Sequence, residues 1–228
     1  HAYHPVHRLD RNTSGLVLIA KVPQVQYKLT PRHGEGKLFH REYLALIEGE
    51  LTPPEGLIDA PIARALPSII LRKVSPDGQT ARTHYDTVQT DGKLSLIHLV
   101  LDTGRTHQIR VHLAHLGHPL LGDDLYGGSL ARIKRQALHA ARLHFRHPMT
   151  GAEIDVQVPL PSDMAQIVFQ HSLFRGDLQA GICMLQRATP ANPKMRATWF
   201  YPRRCRAMHL GYPSLFKAGL SAIAEPAD

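Results

Sequence analysis

Cysteine is nearly missing from this chain, with only Cys183 and Cys205 among 228 residues. Two distant thiols without metal-ligand spacing exclude a disulfide framework and lead us to expect a reducing, cytoplasmic setting in which both are bystanders. Long apolar runs are missing too. The longest strongly apolar stretch, Leu16 to Ala20, is strand-sized and far short of the roughly 18 residues a membrane helix needs, so a soluble chain with no membrane partner is expected. Neither a GxxxxGKS/T nor a GxGxxG pattern occurs, which leaves a nucleotide cofactor without support. Internal repeats and low-complexity tracts are absent as well. The opening HAYHPVHRLD has neither the charged start nor the apolar core of a signal peptide, and it begins with His1 rather than Met. The expectation is that an N-terminal piece is missing or was trimmed.

What remains is an ordinary globular composition, 43% hydrophobic and 20% charged, which argues against a disordered or fibrous chain. The length suits one large domain or one domain with an appendage. Charge is more informative: 27 basic residues against 19 acidic give a formal +8 and a pI near 9.7, with sixteen histidines besides. A polyanionic partner fits that balance, although net charge speaks to association and not to fold. The excess is uneven. Residues 1–171 hold 19 basic and 16 acidic side chains, whereas 172–228 hold 8 and 3. The latter stretch carries five prolines and the cluster Arg203, Arg204 and Arg206, and it lacks a sustained period. We expect a main domain over 1–171 and a basic, loosely ordered extension over 172–228, with a helix possible near Leu215 to Ile223.

In the main domain, strands are expected over Leu16 to Ala20, Arg41 to Glu48, Ile69 to Val74, Arg82 to Thr90, Leu94 to Asp102 and Glu153 to Val158. Asp91-Gly92 between the fourth and fifth of these is a hairpin signal. Ile109, Leu113 and Leu116 recur at helical spacing after Thr106, a possible N-cap, and Gly117 ends the run; Leu130 to Leu143 is a second helix candidate. Hairpin strands with few helices predict an α+β domain around a mostly antiparallel sheet.

Four segments could carry chemistry. Asp10 stands between Arg8 and Arg11 at the entrance to a buried-looking strand, where a carboxylate could act as nucleophile or base, or simply bond the backbone of the Asn12-Thr13-Ser14-Gly15 bend. In Thr103-Gly104-Arg105-Thr106-His107-Gln108-Ile109-Arg110 a glycine turn enters a helix, so Arg110 could aim its guanidinium fork at a carboxylate or phosphate, or lie on a solvated face. His107, His112, His115 and His118 tempt a zinc reading. No carboxylate stands at H-E-x-x-H spacing, so capping, packing or phosphate binding is the expected role. Asp123 and Asp124, in Gly122-Asp123-Asp124-Leu125-Tyr126-Gly127-Gly128, could hold a divalent ion, but no third ligand is evident and a tight glycine loop is favoured.

Taken together, HRLDRNTSGLVLIAK (7–21), REYLALIEG (41–49), TGRTHQIRVHLAHLGHPLLGDDLYGG (103–128) and LHAARLHFRHPMTG (138–151) resemble the RluA-type pseudouridine synthases. The resemblance implies the pseudouridine-synthase fold, a mostly antiparallel mixed sheet flanked by helices and loops. It also implies a reaction on ribosomal or transfer RNA: the N1 to C1′ bond of uridine breaks, the base turns, and C5 joins C1′, with no metal or cofactor. By the same resemblance Asp10 is the catalytic aspartate, Arg110 its arginine partner, and Tyr43 the ring that stacks on uracil with its hydroxyl near the C5 proton. Leu143 matches an apolar pocket residue, with core packing as the competing role. Extruding a stacked base costs a few kcal/mol. Arg8 is the candidate to fill the vacated space, while Arg11, Lys21, Lys28, Arg105, His107 and the basic extension are candidates for substrate and phosphate contact. A monomer without an obligatory protein partner is implied as well. The family usually carries, upstream of HRLD, a strand, a lysine-proline segment and often a small RNA-binding domain, so an opened sheet edge is expected here. The competing function is a catalytically impaired RNA-binding module that keeps the fold.

Overall fold

The computed structural model describes residues 3–30 and 38–171. Cys183, Cys205 and the helix expected near Leu215 to Ile223 lie outside the described residues. In chain order the elements are β1 (His4–Pro5), β2 (Ser14–Gly15), β3 (Ile19–Ala20), α1 (Pro23–Leu29), β4 (Phe39–Glu48), β5 (Glu55–Asp59), β6 (Ile62–Arg64), β7 (Arg72–Val74), β8 (Arg82–Thr90), β9 (Leu94–Leu101), α2 (Gln108–His115), β10 (Leu138–Arg146), β11 (Glu153–Gln157) and α3 (Ser162–Gln170).

The main sheet runs β11-β10-β4-β9-β8-β5, antiparallel throughout, and β2 adds a short parallel pairing to β10. This is the mixed sheet of an α+β domain. Its centre is β4, whose residues Tyr43 to Ile47 are all buried, because both faces are covered and the strand reads as a continuous apolar run. Tyr43, Ala45 and Ile47 face Ile109 and Leu113 of α2, whereas Leu44 and Leu46 face Met164, Ile167 and Val168 of α3. A third cluster joins Leu29 and Val25 of α1 to Phe39, Leu143 and Phe145. The hairpin from β8 to β9 closes as its Asp-Gly signal predicts: Asp91 Oδ1 accepts from the amides of Lys93 and Leu94 at 2.8 and 2.7 Å, with Gly92 at φ 81°.

Several expected elements differ. Leu16 to Ala20 is not one strand: Gly15, at φ 112°, turns the chain away from β10, Leu16 and Leu18 pack into the α1 cluster, and pairing resumes only at Ile19. The strand expected from Ile69 begins at Arg72, since Ile69 and Ile70 stand exposed in a loop. The helix expected over Leu130 to Leu143 is a loop followed by β10. Leu130, Ile133 and Ala137 imitate helical spacing, but Ile133 and Ala137 are buried from a loop beside α3, and 138–146 is a strand shielded on both faces. Thr106 does not cap α2. That position belongs to His107, in the left-handed region at φ 59°.

Candidate active site

The loop carrying Asp10 is held from three directions. Its own turn is closed by the Thr13 amide donating to the Asp10 carbonyl at 3.0 Å, with Asn12 at φ 70°. Gln136, 4% exposed, donates to the Arg11 carbonyl and to Thr13 Oγ1. Gly15 then lies against Ala140, which pairs on its other side with Tyr43. A β-carbon at Gly15 would stand 2.2 Å from the Ala140 carbonyl oxygen, so only glycine lets the loop come this close. Leu9 packs against the cluster that contains Tyr43. The backbone of Asp10 thus makes the turn while its side chain, 19% exposed, faces Arg110.

Arg110 is delivered by the first turn of α2. Gln108 builds that turn: its Oε1 accepts from Thr103 Oγ1 and the Arg105 amide, and its Nε2 donates to the Arg82 carbonyl and Thr83 Oγ1. Arg110 lies 6% exposed in the interior, not on a solvated helix face. Its Nε and Nη2 each donate to a carboxylate oxygen of Asp123 at 2.7 Å, a bidentate fork on a side chain with no exposure. The remaining Nη1 stands 3.9 Å from Asp10 Oδ2. Burial alone would lower the pKa of this guanidinium; the hydrogen bonds and charge of Asp123, with the charge of Asp10 behind them, outweigh burial and raise it. Arg110 therefore stays cationic between two carboxylates.

Tyr126 completes the cradle. Its ring lies 5.0 Å from the Arg110 guanidinium. Its hydroxyl accepts from the Arg72 amide at 3.1 Å and meets His107 Nδ1 at 2.8 Å, which leaves the phenolic hydrogen to bond that nitrogen. Burial lowers the pKa of His107, Asp10 opposes that and Arg110 reinforces it, so the ring is neutral near pH 7. Tyr43 is 5% exposed; burial raises the pKa of its phenol, the neighbouring Arg41 opposes, and the charge of Asp10 adds to the rise. It remains a protonated phenol. Arg41 is half-buried, its charge opposes the rise in the Tyr43 pKa, and it lies over the Phe39 ring at 5.3 Å.

Of the residues singled out in the sequence, Asp10, Tyr43, His107 and Arg110 come together. Arg8 and Arg11 are exposed on the loop beside them. Arg105 points elsewhere, bonding the Thr80 carbonyl and Gln79 Oε1. Leu143 is buried among Phe39, Phe145 and Leu29, which is the packing role. His112 is wholly buried between Thr83 Oγ1 and the Ala60 carbonyl, and His118 bonds the Glu48 carbonyl. Among the described residues, no group of three or more His, Cys, Asp and Glu is placed to hold a metal ion, and no helix is long and apolar enough to cross a membrane. Sequence reading missed Asp123 as the anchor of Arg110. The sequence shows two adjacent acids in a glycine loop but not which of them is buried; it is Asp123, and a buried carboxylate requires a cationic partner.

A sheet of this order, with an aspartate loop bound to one strand and a buried arginine facing it, defines a class, and comparison with known proteins agrees. The RNA pseudouridylate synthase family matches over residues 1–115, half of the chain, and the chain belongs to that family. An uncharacterized RNA pseudouridine synthase of Bacillus subtilis, YjbO, is 47% identical over 165 residues, covering 72% of this chain and 58% of that protein. Ribosomal large subunit pseudouridine synthase D of Vibrio cholerae is 44% identical over 177 residues, covering 71% and 54%. The chain thus spans between half and three fifths of the length of these relatives. In fold it is similar to human RNA pseudouridylate synthase domain containing 1, with a TM-score of 0.60 and 24% identity over 75% of this chain and 80% of that one.

Proposed function

We propose that this chain is an RNA pseudouridine synthase in which Asp10 is the catalytic residue, acting on uridines of ribosomal or transfer RNA. The observation that carries the reading is the 3.9 Å approach of a partly exposed Asp10 carboxylate to an arginine locked from behind by Asp123. Uridine is turned out of its stack into the space above Tyr43, with Arg8 bracing the gap it leaves. Asp10 works at the junction of sugar and base, by a transient bond or by its charge, while N1 to C1′ breaks. The base turns, C5 bonds C1′, the C5 proton leaves and N1 takes one up, so the step is an isomerisation that balances without a cofactor. Tyr43 offers its ring as the stacking face and its protonated hydroxyl beside C5. Arg110 fixes Asp10 and keeps positive charge next to it as the sugar reacts. Residues 1–171 form the catalytic domain in this reading, and 172–228 a basic extension.

The similarity to synthases named for the large ribosomal subunit favours ribosomal RNA as the first substrate to try. Unmodified ribosomal and transfer RNA transcripts are incubated with the chain in the presence of chelator, and pseudouridine is mapped by carbodiimide-blocked primer extension. Product with the wild type and none with Asp10→Ala is expected. RNA binding without product from the wild type would replace the enzyme by an RNA-binding module.

A further inference from the structure

The tip of the hairpin between β6 and β7 holds the two most exposed large hydrophobic residues of the described chain, Leu66 at 83% and Ile69 at 77%, with Ile70 beside them at 57%. Side chains of this kind held together in water mark a surface that meets something. The tip is also built, not slack. Ser68 Oγ accepts from the amides of Ile70 and Leu71 at 3.2 and 3.0 Å, and the Ala65 and Leu71 backbones are joined at 3.0 Å. Arg72 folds its guanidinium back onto the carbonyls of Ile69, Ile70 and Leu71 at 3.0 to 3.1 Å. The loop is therefore shaped before any partner arrives, and little ordering is left for binding.

Two features choose the partner. Arg64, Arg72 and Lys73 flank the tip, and no acidic residue stands between Asp59 and Asp77, which makes the stem cationic. The stem is also seated on the candidate active site: Ile62, Val74 and Ala81 pack with Val111 of α2 and with Tyr126, and the Arg72 amide bonds the hydroxyl of that tyrosine. A base turned out of an RNA stack leaves its neighbours with uncovered faces, and leucine and isoleucine are side chains that proteins insert at such steps. We propose that Leu66, Ile69 and Ile70 form an apolar wedge that enters the RNA beside the reacting uridine and covers the bases left unstacked. The inference rests on the RNA-modifying reading above.

The test compares wild type with Leu66→Ser/Ile69→Ser, and with Ile69→Phe as a variant that keeps an apolar, stacking tip. Binding to fluorescently labelled, unmodified ribosomal RNA transcript is measured across a salt series, with thermal unfolding as a check on the fold. Because both residues are exposed, the melting temperature is expected to stay the same. The serine pair should weaken binding about ten-fold or more with an unchanged salt slope, since stacking and not charge is lost, while Ile69→Phe binds like wild type. Equal affinity of wild type and serine variant overturns the wedge and leaves the synthase reading standing. Tight, wedge-dependent binding by a wild type that forms no pseudouridine overturns the synthase reading and leaves the wedge. If the serine pair instead abolishes binding to phosphatidylserine vesicles, or turns a dimer into a monomer, with RNA affinity unchanged, the tip is a membrane or self-association surface and the wedge is wrong.

Discussion

At the scale of single residues the site turns on one arginine shared by two carboxylates. Asp123 takes two of its nitrogens and is wholly buried; Asp10 faces the third and is not. Asp123→Asn keeps the shape but leaves a buried guanidinium without its counter-charge, which costs about 3 kcal/mol of stability. We expect a lowered denaturation midpoint together with slowed turnover, because the arginine is no longer fixed in place beside Asp10. Unchanged turnover would show that the orientation of Arg110 does not matter. Tyr43→Phe removes a hydroxyl while keeping the stacking ring, so RNA affinity should stay near wild type while the single-turnover rate falls by about 10². Asp10 and Tyr43 were legible from their sequence segments only through family resemblance, since each alone reads as an ordinary turn acid or strand aromatic. The partner of Arg110 was not legible, because Asp123 becomes a partner only when the glycine loop folds back over α2.

At the scale of elements, the active face exists because β2 docks on β10 next to β4. Gly15 is the point of closest approach, and Gly15→Ala would set a β-carbon against the Ala140 carbonyl in a backbone conformation that alanine adopts poorly. That change should lower the melting temperature and abolish turnover together; loss of neither would mean that the loop is not held there. Two histidines, His7 half-buried and His139 buried, brace the same loop. His7 Nε2 accepts from the Leu18 amide, and His139 Nδ1 bonds Ser14 Oγ. Burial holds both imidazoles down to about 4. Their folded values lie below the unfolded value near 6.5, so as pH falls the unfolded chain binds protons first. Stability is therefore full above about 6.5 and lost towards 4, by about 3 kcal/mol for each histidine at the end of the window. His98 runs the other way: the Glu42 hydrogen bond raises its pKa, burial opposes, and Asp86 adds to the rise, so its contribution is present below 6.5 and lost as pH climbs through the raised value. Urea midpoints measured from pH 7 to pH 4 should fall, and less steeply in His139→Gln; parallel curves would remove that histidine from the account. The β8–β9 hairpin was legible because its turn chemistry is local. Strand β10 was mistaken for a helix because a strand covered on both faces loses its alternation, and only its pairing with β4 and β11 tells the two apart.

At the scale of the whole molecule, a formal charge of +8 sets how the chain meets a polyanion. Arg8, Arg11, Lys21 and Lys28 are all exposed on the N-terminal loop, β3 exit and α1. If those four neutralise phosphates, a four-fold rise in salt should weaken binding to single-stranded RNA by about 50-fold. A flat salt response would detach the charge excess from RNA binding. Composition predicted a polyanionic partner and the pattern of hairpin strands predicted the α+β architecture, but neither could place the cations around one aspartate. That placement comes from long-range pairing, which no local pattern in the chain encodes.

The central claim is that the carboxylate of Asp10 reacts beside a uridine turned out over Tyr43. Because the reaction exchanges a C5–H bond for a C5–C1′ bond, RNA transcribed with uridine tritiated at C5 reports it directly. The wild-type chain should release tritium to water and Asp10→Asn should release none while still binding the RNA. Release at the wild-type rate from Asp10→Asn would contradict the account.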